Sequence, residues 1–198
     1  MSSEHDMLEE VKAVGFDELY VIDHCVPEKK VIYWIDMDGT LAKWEDATIE
    51  ETFEPGYFLR REVCVPMVRT IQKMITKGHD VRILSSIYNE RAMLEKKLWL
   101  KKFANLDIDA VFVPYGEDKN NYIHAEANEL HVLIDDHTPN LNVWSRTGLG
   151  IKFLNGINGT GKNGKSSWKG AIISERMSPE VMYMTIIGLT NQCLNGKE

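Results

Sequence analysis

The apolar residues of the chain fall into short runs that are separated by segments with helical spacing. Five runs of four or five residues are rich in β-branched side chains and show little alternation between apolar and polar positions. They are Val31–Ile35, Val81–Leu84, Ala110–Val113, His131–Ile134 and Gly150–Leu154. Such runs are typical of strands that are buried on both faces of a parallel sheet. The pattern therefore predicts parallel strands at these five places.

Helices are predicted between and after these strands, where apolar residues recur three or four positions apart. They cover Pro66–Lys77, Asn89–Ala104, Lys119–Ala127 and Thr138–Arg146, and a further helix begins at Ser178-Pro179-Glu180. Within the first 30 residues the pattern is weaker and indicates only a helix at Met7–Val14 and a short strand at Leu19–Ile22. Alternating strands and helices favour an α/β fold with a parallel sheet and right-handed crossovers.

Two segments interrupt this alternation. Residues 41–66 are too many for a simple loop, and they include Trp44, Phe53, Tyr57 and Phe58. We interpret 41–66 as a small cap inserted after the first strand, and 1–40 with 67–198 as the α/β core. Residues 155–170 are rich in glycine and lysine and are interpreted as an exposed loop.

Composition and charge exclude several classes of protein. The chain has 198 residues and a formal net charge of −7, which argues against nonspecific binding to nucleic-acid polymers or anionic membranes. The three cysteines are far apart and form no CxxC motif, so neither a disulfide framework nor a zinc site is expected. The acidic start of the chain does not resemble a signal peptide. We expect a cytoplasmic protein with no membrane contact, and the sequence leaves a homodimer open.

The most specific motif is Asp36-Met37-Asp38-Gly39-Thr40, which directly follows the first predicted strand. Side chains two positions apart in an extended segment share a face, so Asp36 and Asp38 can project together. Gly39 permits the tight turn that follows. Two adjacent carboxylates repel each other, and a hard cation with oxygen ligands offsets that repulsion.

Three further polar features follow three other strands. Ser85-Ser86 closes the second strand, Lys119 opens the helical segment after the third, and Asp135-Asp136 closes the fourth. Each residue alone has an ordinary explanation, as a strand end, a surface charge or a helix cap. Their common position matters more, because open α/β sheets bind ligands at the carboxyl ends of their strands.

In this order the four motifs resemble those of the haloacid-dehalogenase-like (HAD) phosphohydrolases. The resemblance implies a three-layer, Rossmann-like fold with a small helical cap, and a Mg²⁺-dependent phosphatase. It implies that Asp36 is the nucleophile that forms an aspartyl phosphate, and that Asp38 is the general acid and base. It also implies phosphate binding by Ser85, Ser86, Lys119 and Gly39, and Mg²⁺ binding by Asp36, Asp38 (through its main-chain carbonyl), Asp135 and Asp136.

Within the superfamily the chain is most similar to the cytosolic and mitochondrial 5′(3′)-deoxyribonucleotidases, through Pro55-Gly56-Tyr57-Phe58, the position of the cap and Leu133-Ile134-Asp135-Asp136. This implies a nucleoside monophosphate as substrate. Trp44, Tyr57 and Phe58 would then either stack on the base or form the core of the cap. Two alternatives stay open, namely a phosphatase for another small ester such as a sugar phosphate, and a phosphate-binding module with little turnover.

A competing motif lies in the glycine- and lysine-rich segment. Gly159–Ser166 matches the phosphate-binding pattern GxxxxGK[ST], with Lys165 at the lysine position. The context is unfavourable, because no strand leads directly into the first glycine and only 32 residues follow Ser166. We therefore favour a solvated loop over a nucleoside-triphosphate site. A third option is that Lys162, Lys165 or Trp168 folds over the mouth of the active site.

Overall fold

The computed structural model describes residues 29–45, 47–157 and 168–196. The predicted helix at Met7–Val14, the predicted strand at Leu19–Ile22 and the Gly159–Ser166 motif lie outside these residues. The prediction of an exposed loop at 155–170 falls largely outside them as well.

The described residues form a parallel sheet of six strands in the order β3-β2-β1-β4-β5-β6. The strands are β1 (Lys30–Ile35), β2 (Asp80–Ile87), β3 (Ala110–Pro114), β4 (Glu129–Asp135), β5 (Leu149–Leu154) and β6 (Ala171–Ser174). All five predicted strands are confirmed, and their ends differ from the prediction by at most three residues. The short edge strand β6 was missed because its four residues follow a glycine-rich segment that shows no strand pattern.

Helices cover both faces of the sheet, which confirms the predicted α/β fold. They are α1 (Ile49–Thr52), α2 (Val65–Thr76), α3 (Glu90–Lys102), α4 (Thr138–Trp144) and α5 (Pro179–Leu194), with 3₁₀ turns at Phe58–Arg60 and Lys119–Tyr122. The predicted helix Lys119–Ala127 was wrong in extent. Asp118 caps a single 3₁₀ turn there and Ile123 is already extended, in keeping with the preference of asparagine for turns. None of the described helices is long and apolar enough to cross a membrane.

Alternate residues of β1 supply the two apolar cores. Tyr33 and Ile35 point into the larger core, where α2, α3 and α5 pack against the sheet. Ile32 and Trp34 point into the smaller core on the opposite face, together with Leu141 and Trp144 of α4 and with Trp168. The indole of Trp168 also donates a hydrogen bond to the Ala171 carbonyl at 2.8 Å. Trp168 is therefore a core residue, and the option that it closes over the active site was wrong.

Residues 41–66 leave the sheet after β1 and return to it at α2. Ala42 forms an antiparallel bridge with Val63, so the two ends of the segment lie side by side. Between them lie α1, which has a capping box formed by Thr48 and Glu51, and the 3₁₀ turn Phe58–Arg60. Helix α2 begins at Val65, one residue before the predicted end of the cap.

Candidate active site

The predicted site residues of β1, β2 and β4 meet at the carboxyl edge of the sheet. Asp36 follows β1, and its main-chain N–H donates to the Ile134 carbonyl at 2.9 Å, next to Asp135 at the end of β4. Lys119 reaches the same point from the turn after β3. Its Nζ atom lies 2.6 Å from Asp36 Oδ1 and 2.7 Å from Asp135 Oδ2. The shared edge expected from the strand pattern is thus where these side chains lie.

Three buried carboxylates form a cluster that could hold a cation. Asp36, Asp135 and Asp136 each offer an oxygen, and these oxygens lie within 4.8 Å of one another. Burial raises the pKa of Asp36 well above its ordinary value, and the charges of Asp135 and Asp136 add to this while Lys119 opposes it. Burial alone would lower the pKa of Lys119, but Asp135 and Asp36 outweigh it and raise that pKa. An oxygen-only set with excess negative charge suits a hard divalent cation such as Mg²⁺.

The turn between β4 and α4 is held by several polar contacts. Asp135 accepts hydrogen bonds from the His137 N–H at 2.7 Å and from Asn140 Nδ2 at 2.9 Å, in addition to Lys119. On the other side of the turn, the buried Lys152 of β5 donates to the Asp136 carbonyl at 2.6 Å. Burial lowers the pKa of Lys152, and the charges of Asp136 and Asp135 oppose that shift. These contacts fix the direction of the Asp135 carboxylate and the position of the main chain at Asp136.

Gly39 lies where no side chain fits. Its φ is +80°, and a Cβ atom there would lie 2.1 Å from Asp136 Oδ2. Asn155, at the end of β5, donates from Nδ2 to the Gly39 carbonyl and to Asp136 Oδ2, at 2.8 Å in both cases. The turn after Asp38 is therefore packed directly against the acidic cluster. Asn155 was not among the predicted site residues.

A second buried lysine, Lys96 of α3, also reaches the site and was not predicted. Its Nζ atom donates to Asp38 Oδ2, to Ser85 Oγ at 3.0 Å and to the Ser86 carbonyl at 2.6 Å. Among the described residues, Asp38 Oδ1 is buried without a hydrogen-bond partner. The pairing leaves one oxygen of Asp38 for a further ligand, and it turns this carboxylate toward α3 and β2. A signal for Lys96 existed, because Ala92, Lys96 and Trp99 follow the apolar stripe of the helix.

Helix α3 also contacts residues 41–66, the segment interpreted as a cap. The carboxylate of Glu95 accepts hydrogen bonds from the Gly56 N–H at 2.7 Å and the Phe58 N–H at 3.2 Å. The ring of Phe58 lies 4.7 Å from Lys96 Nζ. Two successive residues of α3 thus contact the cap and the polar site, respectively.

The aromatic residues predicted for substrate binding differ in exposure. Tyr57 and Phe58 are 3% and 2% exposed, and their rings pack edge to face at 5.0 Å. Their burial favours the alternative in which they form the core of the cap. Trp44 is half-buried and lines a cavity of about 250 Å³ next to Gly39, together with Lys43 and Glu175. Trp44 thus stays a candidate for substrate contact.

Similarity to solved structures is found at the level of the fold. No protein-family model and no curated protein matches the chain. The D,D-heptose 1,7-bisphosphate phosphatase of Burkholderia thailandensis is 13% identical, with a TM-score of 0.53, 80% of this chain covered and 99% of that one. The enzyme of the same name from B. bronchiseptica, complexed with magnesium and phosphate, is 11% identical, with a TM-score of 0.55 and coverage of 80% and 98%.

A HAD-like phosphatase of Mesorhizobium loti is 12% identical, with a TM-score of 0.53, and covers 81% of this chain and 88% of that one. At identities this low, the structural similarity establishes the fold alone. The reaction has to be argued from the site. The described part of the chain therefore has the α/β fold of the HAD-like phosphatases.

Proposed function

We propose that the protein is a Mg²⁺-dependent phosphomonoesterase that acts through an aspartyl phosphate on Asp36. The observation that carries this proposal is the pairing of two aspartates with two different buried lysines. Asp36 contacts Lys119, and Asp38, two residues later, contacts Lys96. Their surroundings also differ, because Asp36 belongs to the carboxylate cluster with Asp135 and Asp136, whereas Asp38 lies outside it and keeps one oxygen without a hydrogen-bond partner among the described residues. The fold of the similar structures supports the same reaction class.

In the proposed reaction, a carboxylate oxygen of Asp36 attacks phosphorus while the bond from phosphorus to the ester oxygen breaks. Asp38 gives its proton to the departing oxygen and then accepts a proton from the water that attacks the aspartyl phosphate. That second attack breaks the bond between phosphorus and Asp36 and releases inorganic phosphate. Asp38 Oδ1, which lacks a partner among the described residues, is the atom suited to this proton transfer.

The two lysines have separate tasks in this proposal. Lys119 lies between two carboxylates, so it orients Asp36 and compensates part of the negative charge of the cluster. Lys96 uses its three N–H donors on Asp38, Ser85 and the Ser86 carbonyl, so it orients Asp38 and Ser85. We assign the Ser85 hydroxyl to an oxygen of the transferring phosphoryl group. Stabilising charge on those oxygens supplies most of the catalysis in phosphoryl transfer. Ser86 completes the predicted phosphate site, but the Gly39 N–H donates to the Ala42 carbonyl at 2.7 Å, which argues against its predicted contact with phosphate.

The acidic cluster fits Mg²⁺, which when bound would supply positive charge to the phosphoryl oxygens. Asp36, Asp136 and Asp135 would hold it, together with the main-chain carbonyl of Asp38. Asp135 already accepts three hydrogen bonds, and a carboxylate has about four acceptor positions. We therefore propose that Asp136 binds the ion more directly and that Asp135 orients Lys119.

The proposed substrate is a nucleoside monophosphate, and the support for this is the resemblance of the cap to that of the deoxyribonucleotidases. A sugar phosphate is the second candidate. It is favoured by the fold of the two heptose bisphosphate phosphatases.

The test is release of inorganic phosphate from p-nitrophenyl phosphate and from a panel of nucleoside monophosphates and sugar phosphates. We expect activity with Mg²⁺, loss with EDTA, recovery on adding Mg²⁺ again, and no turnover by folded Asp36→Asn protein. Substantial activity of a clean, folded Asp36→Asn preparation would remove this mechanism. Phosphate binding without turnover by the wild type would point instead to a binding module.

A further inference from the structure

The outer face of α3 combines exposed leucines with exposed lysines. Leu94 and Leu98 lie one turn apart on this face and are 58% and 50% exposed. Because they are neighbours on the helix surface, they form one apolar patch and not two isolated exposed side chains. Lys97 and Lys101 are exposed on the same face, at helical spacing from the leucines. We call this surface, together with Lys102, the outer face of α3.

The lysines of the outer face have no acidic partner in the described part of the chain. The ion pairs of α3 are formed by other residues of the helix. Lys97, Lys101 and Lys102 pair with no carboxylate of residues 29–45, 47–157 or 168–196. Glu90, in the first turn, is the one exposed acidic residue of α3. The last two turns therefore present positive charge beside apolar surface.

Two other helices show only half of this combination. Helix α5 exposes Val181 and Met184, at 52% and 53%, but it contains no lysine or arginine. Helix α2 exposes Arg69 and Lys77, but its one large exposed apolar side chain is Val65, at the first residue of the helix. Among these helices, basic and apolar exposure thus coincide on α3. A ligand of this face should be both acidic and apolar.

The chain itself contains such a segment, because its negative charge is concentrated before β1. Residues 1–28 hold 8 of the 30 Asp and Glu residues but 1 of the 23 Lys and Arg residues, which gives them a formal charge of −7. Residues 29–198 hold 22 of each kind and are neutral in sum. Within 1–28, Met7, Leu8, Val11 and Val14 recur at helical spacing among the acidic residues. The charge and the apolar pattern of this segment are therefore complementary to the outer face of α3.

Residues 1–28 are also joined to the protein at the right edge of the sheet. Lys30 begins β1 and lies 3.3 Å from Asp80 at the start of β2, so the segment enters at the amino edge. Helix α3 runs from the catalytic edge to this same edge, where it ends at Lys102. Residues 15–28 would span up to about 46 Å when extended, which is about twice the ~20 Å length of α3. The connection therefore allows the acidic segment to reach the whole outer face.

We propose that residues 1–28 bind to the outer face of α3 within the same chain. Their carboxylates pair with the three lysines, and their apolar side chains cover the two leucines. Opposite charges set the position of the segment, and burial of the leucines stabilises it. This interaction is independent of the proposed phosphatase reaction, because the site contacts of α3 lie on its inner face, at Lys96.

The test is cross-linking of the full chain with a carbodiimide, which joins a lysine amine to a carboxylate that is in direct contact with it. Mass spectrometry of the digested monomer should find lysines of the outer face joined to acidic residues of 1–28. The Leu94→Gln/Leu98→Gln variant keeps all three lysines and should lower the yield of these cross-links by about fivefold or more. Val181→Gln/Met184→Gln is the matched control, since it removes an equally exposed apolar pair from α5 and should leave the yield unchanged.

A second measurement uses the wild type alone. Raising NaCl from about 0.05 M to about 1 M should lower the same yield, because exposed ion pairs are screened at high salt. The absence of cross-links between 1–28 and α3 would overturn the proposal, as would equal yields in the two double variants or at the two salt concentrations. A mixture of chains with ordinary and with heavy nitrogen should give cross-links within one isotope only. Cross-links that join the two isotopes would assign the outer face to a second copy and overturn binding within the chain.

Discussion

The Glu95 carboxylate offers the most direct test of how residues 41–66, the proposed cap, are held against α3. It accepts two main-chain N–H groups of the cap, from Gly56 at 2.7 Å and from Phe58 at 3.2 Å. A hydrogen bond to a charged group contributes about 1.5–3 kcal/mol, and a buried N–H left without a partner costs about 1–3 kcal/mol. Gly56 is less buried than Phe58. When the carboxylate is removed, the Gly56 N–H can therefore bond to water, whereas the Phe58 N–H is left without a partner.

We therefore expect Glu95→Ala to lower the free energy of unfolding by about 2–4 kcal/mol. Glu95→Gln should lie between this variant and the wild type, because its single carbonyl oxygen can accept only one of the two bonds well. The cap also carries Phe58, whose ring lies 4.7 Å from Lys96 Nζ. If the loss of Glu95 moves Phe58 away from Lys96, kcat for p-nitrophenyl phosphate should fall as well.

The measurements are urea unfolding, hydrogen exchange of the Gly56 and Phe58 amides, and steady-state turnover. Exchange is included because the cap could open locally without global unfolding. Glu54→Ala is the matched control, since Glu54 is a cap glutamate that forms an exposed pair with Arg60 at 3.3 Å. Such a pair contributes about 1 kcal/mol or less. Stability, exchange and turnover all unchanged in Glu95→Ala would refute this account of the cap.

Three further predictions concern the site itself. Asp38→Asn should lose turnover of alkyl phosphates. It should still release p-nitrophenol slowly, because that leaving group needs no proton. Rapid quench measurements of the first turnover would detect the slow release. Gly39→Ala should lower both the melting temperature and the affinity for Mg²⁺, since positive φ costs about 1–3 kcal/mol and the new methyl group would collide with the carboxylate of Asp136. Gly116→Ala, at φ +89° with open space around it, should show the strain alone, so equal Mg²⁺ affinities in the two variants would contradict the collision. Lys165→Ala should stay within about tenfold of wild-type kcat/KM, or about 1.4 kcal/mol, while Lys119→Ala loses far more; micromolar ATP binding that disappears in Lys165→Ala would reverse the ranking of the two motifs.

The strands and the positions of the central site residues could be predicted because both depend on local pattern. Short apolar runs identify strands of a parallel sheet, and the residue that ends each run is brought to the common edge by the fold class alone. The positions of Asp36, Ser85 and Asp135 at this edge follow from the strand pattern and the fold class alone. Lys119 was placed correctly at the edge, although the turn that carries it is shorter than predicted.

The remaining site residues depend on contacts that the local pattern does not encode. In the sequence, Lys96 looks like an ordinary surface lysine of a helix. Only its position on the apolar stripe distinguishes it from the neighbouring Lys97, which is exposed. Asn155 acts through a contact with Gly39, 116 positions earlier in the chain. The aromatic content of the cap was evident, but which rings are buried depends on how α3 packs against the 3₁₀ turn. Such packing is decided by tertiary structure and not by spacing.

The strand order also determines when the site can form during folding. β1 lies inside the sheet, and both of its neighbours come later in the chain. The contact between Asp36 and Lys119 closes a separation of 83 residues. Contacts of such long range form slowly, because chain entropy must be lost before they can stabilise the structure. A refolding intermediate in which only β1, β2 and α2 have assembled would hold Asp36 and Asp38 without Lys119 or Asp135. Catalytic competence should therefore appear only when β4 has joined the sheet, later than most of the helical signal.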